Sequence, residues 1–179
     1  MADITVVAHN IRSAHNVGAI FRTSEGFGVK HIVLSGYTPY PELSLNHTAP
    51  MCAYIDSVQV TLDPRLPHIR ERITRDIHKT ALGAEALVPF TYYDDISAWL
   101  DTNTLPLVAL EQAPDSVPLS RFQPPEAFAL LLGEEVDGIV SELLERCDYT
   151  VEIPMEGKKE SFNVSVATGI ALYALTSGN

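Results

Sequence analysis

Three stretches of the 179-residue chain load glycines and hydrogen-bonding side chains onto the ends of apolar runs. The first is NIRSAHNVGAIFRTSEGFGV (10–29), where Asn10, Arg12, Ser13, His15 and Asn16 crowd the opening of a helical pattern. Free N–H groups at such an opening favour anions. Gly18 permits close approach of another backbone, and Arg22, six residues after Asn16, could bring a guanidinium to the same mouth. A plain helix cap accounts equally well for Asn16, and a surface ion pair with Glu25 or Glu85 for Arg22.

The second stretch, FALLLGEEVDGI (128–139), stops an apolar run at Gly133 and places Glu134, Glu135 and Gly138 in a tight loop before a helix. In open α/β sheets ligands sit outside the carboxyl ends of strands, so this loop is a predicted binding position. Its carboxylates suit ligand hydroxyls or amines, or Arg22 as a partner; a turn with an acid at a helix N-terminus is the plainer account. The third stretch, IPMEGKKESFNVSVATGIALY (153–173), runs from Ile-Pro-Met through a polar loop to Ser161, Asn163 and Ser165, ahead of an apolar helix that Ser161 or Asn163 could cap. A cap or a turn explains any one stretch; three of them in one small chain predict a shared pocket.

Other site chemistries find little support. The six histidines include no pair at metal-ligand spacing near a carboxylate, and HExxH is absent, so no metal site is expected. Neither GxxxxGK[ST] nor GxSxG occurs, and the one G-x-G, at Gly26–Gly28, precedes a strand instead of following one. The two cysteines, Cys52 and Cys147, exclude a disulfide framework and suggest a reducing, cytoplasmic setting. The longest wholly apolar run, Ala127–Leu132, is far short of the roughly 20 residues that span a bilayer, and no secretory signal is visible at the start.

Charge is uneven. The net is −11, with 8 basic and 10 acidic residues in 1–100 but 4 and 13 in 101–179. A general basic footprint for nucleic acid is absent, so a polyanion would have to meet a local patch. Arg65, Arg70, Arg72, Arg75 and Lys79 supply such a patch, and Arg72, Arg75 and Lys79 fall on one helical face. Interspersed Asp63, Glu71 and Asp76 fit a solvated surface helix just as well.

The elements that must position these residues alternate. Strands are predicted at 4–9, 31–35, 87–93, 105–111, 127–133 and 149–154. Helices are predicted from about 15 to 26, around Trp99, near 139–145 and from about 164 to 176. That alternation predicts an α/β domain with a mostly parallel sheet flanked by helices, and the length fits a single domain over 1–179. The span 37–80 breaks the rhythm: Pro-rich at first, then SVQV (57–60), then a charged helix from about Pro67 to Thr80.

Together the three stretches resemble the SpoU (TrmH) branch of the SPOUT RNA methyltransferases. The family's Asn-x-Gly with Arg four residues on matches Asn16, Gly18 and Arg22; its Leu-Gly-x-Glu-x-x-Gly plus an aliphatic residue matches Leu132, Gly133, Glu135, Gly138 and Ile139. Its third motif matches Ile153–Met155, Gly157 and Ser161–Ala167, with Phe162 in place of the usual Leu. The resemblance implies a C-terminal deep trefoil knot, S-adenosylmethionine as cofactor, a homodimer, and 2′-O-methylation of a ribose in tRNA or rRNA. It assigns Arg22, Asn16, Glu135, Ser161 and Asn163 to the catalytic cluster, and Leu110, Gly133, Ile153, Met155 and Phe162 to the cofactor. Gly133 is expected to leave room for the adenosine. Arg12, Arg72, Arg75, Lys79, Lys158 and Lys159 are the candidates for RNA, and an insertion around 37–78 is expected to contribute to RNA contact. Two rivals stand beside this reading: a catalytically idle cofactor- or RNA-binding protein, and a small-molecule methyltransferase.

Overall fold

The computed structural model describes residues 2–43, 63–134, 137–159 and 161–177. Its strands are β1 (Asp3–His9), β2 (His31–Ser35), β3 (Phe90–Tyr93), β4 (Leu107–Leu110), β5 (Val117–Pro118), β6 (Ala127–Leu132) and β7 (Tyr149–Glu152). The helices are α1 (Ala14–Gly26), α2 (Pro67–Ala81), α3 (Ile96–Leu100), α4 (Ser141–Leu144) and α5 (Val164–Thr176). All pairs among these strands are parallel, in the order β3-β2-β1-β6-β4-β7-β5.

The nearly continuous apolar runs of the central strands follow from burial on both faces. Alternate residues point to opposite sides. Val6, Ala8, Ile32, Leu34, Leu130 and Leu132 share one core with Val17, Ile20 and Phe21 of α1, Ile77 and Ala81 of α2, and Leu172 of α5. Val7, Val33, Ala109, Ala129 and Leu131 face the other side, under Ile96, Trp99 and Leu100 of α3 and Leu143 of α4. Registers such as Val7↔Val33 and Val7↔Leu131 keep like-facing residues side by side.

Gly18 has the role its type suggests. A Cβ there would lie 2.2 Å from the Ile77 carbonyl and 2.2 Å from Thr80 Oγ1, so α1 and α2 touch backbone to backbone. Helix α2 is thus half core layer and half exposed basic face, with Ile77 and Ala81 buried. The expected SVQV strand (57–60) and Cys52 lie outside the described residues. Beyond the predicted elements, the chain adds the two-residue β5 and short 3-10 turns at Ala84–Ala86 and Leu119–Arg121. Among the described residues, no helix is long and apolar enough to cross a membrane.

Candidate active site

The carboxyl ends of β4, β6 and β7 surround a cavity of about 310 Å³. Its apolar surface comes from Leu110, Leu132, Ile153, Phe162, Val164 and Ala167. Four carboxylate residues, Glu111, Glu134, Asp137 and Glu152, also line it, together with Gly133, Gly138 and Ser161. Apolar walls with a strongly acidic rim fit a ligand that combines a flat apolar part, hydroxyls and positive charge.

The loop after β6 is fixed by its own backbone. Glu134 and Gly138 exchange two N–H···O bonds of 3.1 Å, closing a tight turn, and Gly138 takes a left-handed φ of +68°. Glu111, just past β4, packs into the space a side chain at Gly138 would need; a Cβ there would lie 2.3 Å from Glu111 Oε2. The same Oε2 accepts from the Ile139 N–H at 2.8 Å, while Oε1 accepts from the Gln112 N–H at 2.9 Å. Glu111 is hard to single out in the sequence because it closes the apolar run at 105–111, which reads as a buried strand. An acid at the carboxyl end of an otherwise apolar strand was the available signal.

Gly133 lines the cavity and also makes room for the loop. A Cβ at this position would meet Gly138 C and Ile139 N, both at 2.7 Å, so the missing side chain lets the loop after β6 pack against the strand end.

The first stretch joins the other two through polar contacts. Arg12 donates to Glu134 at 2.9 Å, and the Tyr37 hydroxyl donates to the same carboxylate oxygen. The Tyr37 hydrogen bond and then the Arg12 charge hold the Glu134 carboxyl below its ordinary range, against the opposing effect of desolvation. The partner of Glu134 is therefore Arg12, not Arg22. Asn163 Nδ2 donates to Asn16 Oδ1 at 3.2 Å, linking the starts of α1 and α5.

Capping is divided among neighbours. Ser13 Oγ accepts from the Asn16 N–H at 3.3 Å and caps α1, so Asn16 is not the cap. Asn163 does cap α5, accepting from the Ser165 N–H at 3.0 Å. Of the residues assigned to the cofactor, Leu110, Gly133, Ile153 and Phe162 line the cavity, whereas Met155 is half-buried outside its wall. Ser161 lines it too, while Arg22 is exposed on α1 and is not one of the lining residues. Glu135 lies outside the described residues.

Among the candidates for RNA, Arg72, Arg75, Lys158 and Lys159 are exposed, and Lys79 pairs with Asp76 at 2.7 Å. No group of three or more His, Cys, Asp or Glu arranged to hold a metal occurs among the described residues.

Residues 51–173 match the profile of the SpoU rRNA methylase family. The chain belongs to that family. Its relatives include the 23S rRNA (guanosine-2′-O-)-methyltransferase RlmB of Coxiella burnetii, 25% identical over 95% of this chain and 56% of that protein. The tRNA (guanosine(18)-2′-O)-methyltransferase of Aquifex aeolicus is 28% identical over 96% of this chain and 67% of its own length. The chain thus spans between about half and two-thirds of these SpoU relatives. In fold it matches the SpoU methyltransferase AviRb of Streptomyces viridochromogenes, solved in complex with the cofactor AdoMet. The TM-score is 0.72 at 18% identity, covering 98% of this chain and 57% of that one.

Proposed function

We propose that the chain transfers a methyl group from S-adenosylmethionine to a ribose 2′-hydroxyl of tRNA or rRNA. The observation that carries this reading is the cavity at the ends of β4, β6 and β7, which the second and third stretches line and which the first stretch joins through Arg12–Glu134 and Asn16–Asn163. Its chemistry suits the cofactor. Leu110, Ile153 and Phe162 offer apolar surface for the adenine, and the acidic rim suits a ligand bearing a sulfonium and an ammonium. When bound, the cofactor supplies a methyl group on a positively charged sulfur.

The chain's own task is to hold a hydroxyl about 3 Å from that methyl and to take its proton. Arg22 is a poor base, since a guanidinium carries only N–H donors and no acceptor for a proton. Its role is to orient the RNA phosphate and stabilise the developing alkoxide. Glu135 or Ser161 provides the proton path. Asn16 and Asn163, tied to each other, keep the starts of α1 and α5 at a fixed spacing beside the site.

The same reading includes the deep trefoil knot, a cytoplasmic setting and RNA contact from the basic face of α2, which belongs to the insertion proposed around 37–78. It also includes a homodimer. Val166, Ile170 and Tyr173, at 50%, 37% and 64% exposure, form an apolar stripe along α5 that suits burial against a second copy. Light scattering should then give about twice the 19.6 kDa chain mass, and a monomer at micromolar concentration would remove the dimer.

Mass mapping of 2′-O-methyl groups in total RNA tests the function. A site lost on deleting the gene should return with the wild-type gene and not with Arg22→Ala, whose transfer rate is expected to fall by roughly 10²-fold or more. An unchanged map on deletion would refute the assignment.

A further inference from the structure

At the carboxyl ends of β1 and β2, the chain holds an exposed aromatic ring in an unusually constrained turn. Tyr37 is 50% exposed, yet the backbone carrying it is tied on every side. Asn10 has a left-handed φ of 57° and Gly36 one of 66°, so two adjacent strand ends bend sharply away from the sheet. A side chain at Gly36 would strike Asn10 Oδ1, which accepts from the Tyr37 N–H at 3.3 Å. The Gly36 N–H donates to the Tyr93 carbonyl at 3.1 Å, and the Gly36 carbonyl accepts from the Tyr92 hydroxyl at 2.6 Å. Buried Thr38 adds bonds to the Ala8 and Ser35 carbonyls and accepts from the Ile11 N–H.

Backbone held in sparsely populated regions persists where its surroundings over-determine it, and such places concentrate at ligand sites. Burial does not explain this turn, because the ring it presents is half exposed. The Tyr37 hydroxyl ends on Glu134, a residue of the cavity wall, so the ring stands one hydrogen bond from the proposed cofactor site. Arg12, its side chain 66% exposed, meets the same carboxylate. An exposed aromatic face next to a guanidinium is the combination that receives an unstacked nucleobase and its phosphate.

We propose that Tyr37 is a substrate-positioning platform whose ring stacks on an unpaired base of the RNA, with Arg12 beside it for the adjoining phosphate. This rests on the RNA methyl-transfer reading and adds to it the class of nucleotide the site takes: an unpaired one, splayed from its neighbours. Stacking uses the ring face and leaves the hydroxyl on Glu134, so base and cofactor loop are held by one side chain.

Two variants separate the ring from its hydroxyl. Tyr37→Phe and Tyr37→Leu both lose the bond to Glu134, but only Phe keeps an aromatic face. With methyl-labelled S-adenosylmethionine and total RNA from a strain lacking the gene, KM for RNA should be roughly 5- to 100-fold higher for Leu than for Phe. kcat and calorimetric binding of S-adenosylhomocysteine should match between the two variants. Equal KM values in an active enzyme would overturn the platform and leave the function standing. Loss of cofactor binding in Tyr37→Leu alone would make the ring a packing element and equally overturn it. An inert wild type would remove the RNA reading, and the platform with it.

Discussion

Two loops line the same cavity and are built in opposite ways. The loop after β6 is closed by reciprocal Glu134–Gly138 backbone bonds, pinned by Glu111 and held again by Arg12 and Tyr37. The segment after β7 is open. Pro154, Glu156, Gly157, Lys158 and Lys159 are exposed, and a Cβ at Gly157 would meet nothing within 4 Å. One wall of the cavity is therefore held by its own hydrogen bonds, while the facing segment is exposed and has open space around Gly157. Preorganised polar groups cost no rearrangement when a ligand arrives, whereas an adaptable segment can close over it.

The sharpest way to break the contrast is a side chain at each glycine. Gly133→Val forces atoms into the Gly138 and Ile139 backbone, where neighbours cannot yield cheaply. A loss of about 1–3 kcal/mol in stability, read by urea unfolding, is expected together with loss of S-adenosylhomocysteine binding. Gly157→Ala should change stability by no more than about 0.5 kcal/mol, as for an ordinary surface position. Similar losses in both variants would erase the distinction.

A milder perturbation sharpens it. Glu111→Gln keeps the size of the side chain but replaces one acceptor with an amide that cannot satisfy both the Gln112 and Ile139 N–H groups. Cofactor affinity should fall by roughly 5- to 30-fold, the scale of one unsatisfied partner in a partly buried site. Glu111→Gln with wild-type affinity in calorimetry would show that the loop holds its shape without this pin.

The smallest effect belongs to the basic face of α2, which lies outside both loops. Reversing Arg72 and Arg75 to Glu should weaken RNA binding and flatten its dependence on salt while leaving cofactor binding alone. If the double variant methylates RNA like wild type at every salt concentration, α2 is a solvated packing helix, and recognition falls to the rim of the cavity.

The sequence made the open loop easier to read than the closed one. The polar run before α5, a cap at Ser161 or Asn163 and the helix at 164–176 all followed from local residue types, because capping and periodicity act over a few neighbours. The role of Gly18 was legible in kind, though not that its partner would be α2. What could not be read were contacts between segments far apart in the chain. Glu111 meets Ile139 across 28 positions, Tyr37 meets Glu134 across 97, and Asn16 meets Asn163 across 147. The two-residue β5 was missed because two residues carry no period.

Hydrogen exchange with and without S-adenosylhomocysteine tests the central claim, that the cofactor occupies this cavity between a preset wall and an adjustable one. Peptides over 153–163 should gain strong protection on binding. Peptides over 110–112 and 132–139, in which the Gln112, Glu134, Gly138 and Ile139 N–H groups are already hydrogen-bonded, should change little beyond the residues in direct contact. Protection appearing only over α2, or over β1 and β2, would place the cofactor elsewhere, and a titration without any change at saturating ligand would contradict the account outright.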